Sequence, residues 1–337
     1  MELCYSPQPM VSVAVAIVTE AGPQVGLGHL SRSSNLAQAL MDQGASVQLF
    51  IRAEQSLVSS WCEARGLEGI AVESLQDSKI AVFPADLWVL DSYEFDARCQ
   101  IGLNHEQALR VLIDDHQDRD YSWVDIVVNP VPGVIPLFAP RAEMLGGPEY
   151  ALLDPAFVAQ RRRVDSAQLH RSPLPRRPQR VGLLFGGMDT ARLGPQAAIQ
   201  VEEAFPAAEI HVFGRADWSS AAPQCIRHGL LSPQLLAEAL VTMDLVLATP
   251  STVAWELATL GIPGVLVQTA SNQREIALAL EGHAGVQVAK SVSSAELIAF
   301  WEALDGEALG EWRGLCDGAG ASRAAGRLLA LFESSLH

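Results

Sequence analysis

His29 stands in GPQVGLGHLSRSSNLAQAL, residues 22–40, where two glycines and a histidine are set between an apolar strand pattern and a helical one. Imidazole titrates near neutrality, and at a helix N-terminus the dipole disfavours its protonated form, so a histidine there can take a proton from water. Gly26 and Gly28 permit positive φ and close approach of a ligand, toward which the first N–H groups of the helix point. The local pattern leaves two readings of His29 open: a general base, or the first residue of a helix with no chemical role. The run lacks the third glycine of GxGxxG, and no acidic residue closes a strand about 20 residues on. A nicotinamide dinucleotide site is disfavoured.

A second group lies more than two hundred residues later. In ATPSTVAWELATLGIP, residues 248–263, a strand ends at a proline turn and Ser251 or Thr252 can cap a helix whose N–H groups receive a phosphate. Glu256, one helical turn beyond Thr252, can accept hydrogen bonds from ribose hydroxyls; an ordinary cap with a surface glutamate fits the same letters. In TASNQREIALAL, Asn272 and Gln273 present amides to sugar hydroxyls, or Asn272 caps the next helix. FGGMD sets Gly186, Gly187 and Asp189 at a strand end, for close approach to a ligand or simply for a turn. LDSY and IDDH put Asp91, Tyr93, Asp114, Asp115 and His116 at strand ends. Adjacent residues such as Asp114, Asp115 and His116 point different ways, and without HxxxH or a second acidic cluster no metal site is supported. Ser251 lacks a surrounding GxSxG, which disfavours a serine hydrolase.

These groups need strands that end at one face. Short apolar runs at Val11–Val18, Ser46–Phe50, Leu87–Leu90, Arg110–Ile113 and Asp125–Val128 are continuous rather than alternating, as in strands covered on both sides. Helical segments such as His29–Gln43, closed by Gly44, and Gln55–Arg65 lie between them. After a proline- and arginine-rich stretch the rhythm resumes at Arg180–Phe185, Glu209–Phe213, Leu245–Ala248, Gly264–Gln268 and Gly285–Val288, and Ser322–Phe332 reads as a terminal helix. The expectation is α/β: two Rossmann-like doubly wound parallel sheets facing a cleft, with ligands at the carboxyl ends of the strands. The boundaries are 1–155 for the first domain, 156–179 for an exposed linker whose arginines are solvated, and 180–337 for the second, the terminal helix packing back on the first.

Composition narrows the ligand. A chain of 337 residues exceeds the size at which one core stops growing, and 49% hydrophobic against 18% charged residues fills two cores. The net charge of −16 and pI near 4.9 disfavour nucleic acid and anionic membranes as partners, so an anionic ligand needs a local site. Five scattered cysteines form no CxxC pair, no apolar run reaches about 18 residues, and the first residues lack a basic leader, which together read as a cytoplasmic protein with reduced thiols.

Taken in order, GLGHLSRSSNLAQAL, VLDSY, LIDDH with DIVVNP, YALLDPAF, LLFGGMD, STVAWELATLGIP, SNQ and DGAGASR resemble the hydrolase family of the pseudaminic-acid pathway. That family releases 2,4-diacetamido-2,4,6-trideoxy-β-L-altropyranose from UDP in bacterial flagellin glycosylation. The resemblance implies a glycosyltransferase-B-like fold with UDP mainly on the C-terminal domain, and an inverting hydrolase that needs no metal or cofactor. It implies that His29 activates water, that Ser251, Thr252 and Glu256 hold UDP, and that Asn272 and Gln273 lie near the sugar or phosphates. The expected site is completed by Glu20, Asp91 and Tyr93 on the catalytic side and by Gly26, Gly28, Arg32, Gly186, Gly187 and Asp189 on the substrate side, in a monomer or weak dimer. One departure stands out: the family's RxD pair falls on Val18 and Glu20, so the carboxylate is kept and the arginine is not. A transferase on the same fold, in which His29 deprotonates an acceptor hydroxyl, and a non-catalytic UDP-sugar-binding protein are the alternatives.

Overall fold

A computed structural model describes residues 12–22, 25–99, 108–116, 120–133, 142–166, 174–186, 192–214 and 224–336. The first sheet contains β1 (Ala14–Glu20), β2 (Ser46–Arg52), β3 (Gly69–Val72), β4 (Leu87–Asp91), β5 (Leu109–Ile113), β6 (Ile126–Asn129) and β7 (Glu143–Gly146). The second contains β8 (Arg180–Leu184), β9 (Glu209–Phe213), β10 (Cys225–Gly229), β11 (Leu245–Ala248), β12 (Gly264–Val267) and β13 (Val286–Ala289). All pairings are parallel, in the orders β3-β2-β1-β4-β5-β6-β7 and β10-β9-β8-β11-β12-β13. Each is a doubly wound sheet, and each reverses its strand order once, between β1 and β4 and between β8 and β11. A crevice opens at such a reversal, outside the carboxyl ends of the strands.

Helices α1 (Gly28–Asp42), α2 (Gln55–Glu63) and α3 (Ser78–Ala81) serve the first sheet. Helices α4 (Pro155–Ser166), α5 (Leu193–Ala204), α6 (Pro233–Leu240), α7 (Thr252–Leu260), α8 (Arg274–Leu280), α9 (Ser294–Ala303) and α10 (Gly306–Leu315) follow, and α11 (Gly320–Ser335) ends the described chain. Ala324, Ala325 and Leu328 of α11 are fully buried in one core with Leu30, Leu36 and Leu40 of α1, so the last helix belongs physically to the first sheet. Burial of one leucine side chain stabilises by about 1.5–3 kcal/mol, and small alanines let the two helices approach closely. No helix among the described residues is long and apolar enough to cross a membrane.

The strand pattern was readable because both faces of each sheet are covered: Val15, Ala16, Ile17 and Val18 alternate between two separate cores, all fully buried. Strands β3, β7 and β10 were not anticipated. Two are outer strands of the first sheet and the third is an outer strand of the second, partly exposed, with no uninterrupted apolar run to mark them. β1 also runs two residues past Val18, which brings Glu20 into register beside Arg52.

The segment read as linker needs a correction over its first half, which is helix α4. Asp154 starts it by accepting from the Ala156 N–H at 2.9 Å, and Phe157 is buried among the hydrophobic residues of the second sheet. Arg161, taken for part of a solvated cluster, has its guanidinium folded in. Its Nη1 donates to the carbonyls of Thr259, Arg313 and Cys316 at 3.3, 3.0 and 2.6 Å, where α7 and α10 end and their last carbonyls lack helical partners.

Candidate active site

Several of the residues singled out in sequence lie at the two reversal points, while Asp114, Asp115 and His116 follow β5 and Asn272 and Gln273 follow β12. On the first sheet, Glu20 ends β1 and Asp91 ends β4, and α1 starts between them with His29 in its first turn. Gly26 uses its freedom, at φ +75°, and its backbone bonds Gly22 in both directions, closing the loop before α1. Gly28 does not need positive φ. A Cβ added at either glycine meets nothing within 4 Å, so space rather than internal packing lies in front of this loop.

His29 is 5% exposed, and neither ring nitrogen has a hydrogen-bond partner. Burial pushes its pKa below the ordinary histidine value, with Arg32 adding to the effect, against the opposing pull of Asp91, Asp115 and Glu20. A neutral ring with an available lone pair is the form a general base requires. Tyr93 packs edge-on to it, ring centroids 4.6 Å apart, and His116 packs on Tyr93 at 4.4 Å, which fixes the ring's orientation.

Arg32, anticipated on the substrate side, is turned onto two carboxylates. Its Nε donates to both oxygens of Asp91 at 3.0 Å, Nη2 to Asp91 Oδ1 at 2.6 Å and Nη1 to Asp115 Oδ2 at 2.8 Å. Burial pushes the Asp115 carboxyl up, but the charge and hydrogen bond of Arg32 outweigh it and hold it below the usual carboxylate range. Asp114 accepts from the Tyr121 hydroxyl. Both aspartates are therefore tied into the protein, in different directions.

Val18 is fully buried in the core, on the same face of β1 as Glu20. The cation beside Glu20 is Arg52 of the neighbouring strand β2. Arg52 donates to Glu20 and, at 2.8 and 2.7 Å, to Glu94, while the other Glu20 oxygen accepts from Ser92. The sequence carried this signal as the arginine that ends QLFIR. Beside this cluster opens a cleft of about 1000 Å³, with Glu20, Glu54, Glu73, Asp77 and Glu94 facing Arg52 and Lys79.

On the second sheet, Gly186 follows β8 at φ +82°; Gly187 and Asp189 lie outside the described residues. Ser251 occupies the position before α7 without bonding the helix through its side chain, Thr252 opens the helix, and both are partly exposed. The helix start is thus left open to an anion. Glu256, in the second turn of α7, has its carboxyl pushed up to about 8 by burial and by the nearby charge of Asp154. Gln273 holds its own turn, accepting from the Thr269 N–H at 2.8 Å and the Ala270 N–H at 3.3 Å. Asn272 reaches the other sheet, where its side chain hydrogen-bonds Tyr93. The carboxyl end of β4 and the turn after β12 therefore meet at Tyr93 and Asn272.

No protein-family model matches the sequence, and no curated protein is significantly similar to it. Solved structures do match, over nearly the whole of both chains. The glycosyltransferase of kitacinnamycin is 15% identical, covers 97% of this chain and 100% of its own, and has a TM-score of 0.62. UDP-GlcNAc 2-epimerase from Neisseria meningitidis, solved with UDP-GlcNAc, is 7% identical over 94% and 100% at 0.62. MurG of Acinetobacter baumannii is 12% identical over 94% and 99% at 0.61. At these identities the likeness is one of fold, and the fold is that of the glycosyltransferase-B class: two Rossmann-like domains of parallel sheet.

Proposed function

We propose that the chain hydrolyses a UDP-linked diacetamido-trideoxy sugar at the anomeric C–O bond, with inversion, supplying free sugar for nonulosonic acid synthesis. The observation that carries this reading is His29, a buried imidazole without hydrogen-bond partners at one strand reversal, opposite an uncapped helix start at the other. UDP lies on the second sheet with its diphosphate at the start of α7, beside Ser251, Thr252 and Gly186, where backbone N–H groups meet the charge that grows on the leaving group. Asn272 and Tyr93 close the cleft against bulk water. His29 takes a proton from a water molecule as that water attacks the anomeric carbon.

The cleft beside Glu20 favours a second reading, because about 1000 Å³ is far more room than a water needs and could seat an acceptor. One experiment separates them: UDP-sugars are incubated with the protein in heavy-oxygen water without acceptor. Release of UDP with label on the anomeric oxygen supports hydrolysis. Label on phosphate overturns C–O cleavage, and release only after an acceptor is added makes the protein a transferase.

Glu256 gives a further expectation. Ribose hydroxyls donate best to an ionised carboxylate, and this one is protonated at neutral pH. UDP binding therefore expels a proton, and affinity climbs as pH rises from 6 toward about 8 and levels off above it. Calorimetry in buffers of different ionisation enthalpy measures the proton released. Glu256→Gln should remove this component and leave only the titration of the diphosphate itself; an unchanged proton count removes Glu256 from the nucleotide site.

A further inference from the structure

We propose that Arg32 is a positioning residue whose guanidinium occupies Asp91 and Asp115 so that the buried His29 imidazole is left without a hydrogen-bond partner. The chemical value of this arrangement rests on the function proposed above; the geometry does not. In a serine-protease-like relay, a buried aspartate accepts from the histidine ring and stabilises its charged form. Here Asp91 stands where such an aspartate stands, yet its Oδ1 stops 4.0 Å from His29 Nε2, beyond a hydrogen bond. The reason is occupancy: Asp91 already takes three contacts from Arg32, and Ser33 Oγ donates to its Oδ2 at 2.8 Å.

The same guanidinium tethers Asp115 through Nη1, leaving Asp115 Oδ1 without a partner. Asp91 is fully buried and Arg32 and Asp115 are each 8% exposed, so solvent screens these charges poorly. The planar fork of arginine serves two carboxylates at once, which a lysine ammonium cannot reproduce. The groups that act on His29 are Asp91 and Tyr93 from the end of β4, Asp115 beyond β5, Glu20 from β1 and Arg32 from its own helix. Remove Arg32 and the three carboxylates, Asp91, Asp115 and Glu20, act on the ring without the one cation that opposes them. His29 then becomes the group that neutralises them, and a protonated imidazole cannot act as a base.

The test is a proton NMR titration of His29 in the free protein, compared among native protein, Arg32→Gln, and Arg32→Gln with Asp91→Asn, each checked for fold by circular dichroism. Native His29 should titrate below the ordinary value of about 6.5. In Arg32→Gln it should titrate above it, and the added Asp91→Asn should bring it down again. Where a hydrolytic rate is measurable, the acid limb of its pH profile moves with the midpoint, the rate at low pH falling about tenfold per pH unit, with KM unchanged. If Arg32→Gln does not fold, Arg32→Lys keeps the charge but loses the fork, and an upward shift is still expected. A folded variant with unchanged His29 titration overturns the proposal. A shift without any turnover of UDP-sugars upholds the role of Arg32 and sinks the functional reading; turnover without a shift does the reverse.

Discussion

Replacing His29 by alanine is expected to lower the rate of UDP release by about 10²–10⁴-fold, the usual contribution of a general base, while leaving UDP affinity nearly unchanged. That is about 3–5 kcal/mol of transition-state stabilisation. The separation between rate and affinity follows from the fold: His29 starts α1 at the first sheet, whereas the open start of α7 and Glu256 belong to the second. His29→Gln should behave like alanine, because an amide fills much of the same space but cannot accept and hold the proton. Since burial and Arg32 depress the imidazole pKa, activity in the native protein persists below the ordinary histidine midpoint and fails only as pH falls through the lowered one. Steady-state release of UDP, with affinity measured separately by calorimetry, checks both halves. A His29→Ala protein that keeps more than a tenth of the rate would show that another group activates the nucleophile.

Those residues that a strand or helix boundary positions were legible in the sequence. Short, β-branched apolar runs bounded by turn residues read as strands covered on both faces, and the residue that follows such a strand sits at the carboxyl edge of the sheet. Asp91, Gly186 and Ser251 are placed at strand ends in that way, and the strand reversals put Asp91 at the crevice of the first sheet and Gly186 and Ser251 at that of the second. What sequence could not supply was lateral neighbours. Arg52 stands beside Glu20 because β2 pairs with β1 in that register, thirty-two residues away, and no local pattern encodes a cation arriving from an adjacent strand. Arg32 has the same history: in GLGHLSR it looks like a ligand contact, and only the approach of β4 and β5 shows two carboxylates already holding it. Arg161 lay in a run of arginines whose composition is that of an exposed connector, and the carbonyls it serves come from helices ending at Leu260 and Leu315.

The motif DGAGASR carries the second large effect, and its letters gave no hint of the cause. The chain crosses between the sheets twice, outward through Ala151–Asp154 and back through Cys316–Gly320, and the crossings touch. The Cys316 thiol lies 3.4 Å from the Pro148 carbonyl, Arg323 donates to the Glu149 carbonyl and pairs with Asp317, and Asn35 of α1 holds the Leu152 carbonyl at 2.9 Å. Gly320 is pressed against the outward crossing. A Cβ there would stand 2.6 Å from the Ala151 nitrogen and from the Tyr150 carbonyl carbon, and closer still to the Ala151 carbonyl oxygen. These are backbone atoms, which no rotamer change can move aside. Gly320→Val must therefore drive the two crossings apart, at a cost of at least about 1–3 kcal/mol for overpacking. The melting temperature should fall by roughly 2–4 °C for each kcal/mol. Gly314→Ala is the matched control, since its Cβ in α10 meets nothing within 4 Å and the change should stabilise by about 0.4–1 kcal/mol. If the chain has the UDP-sugar activity proposed above, Gly320→Val is expected to lose turnover at temperatures where it remains folded, since the crossings join the two sheets that carry Tyr93 and Asn272. Equal melting of Gly320→Val and native protein would mean that the two crossings are not in contact in solution, and the fixed juxtaposition of the two half-sites would fall with them.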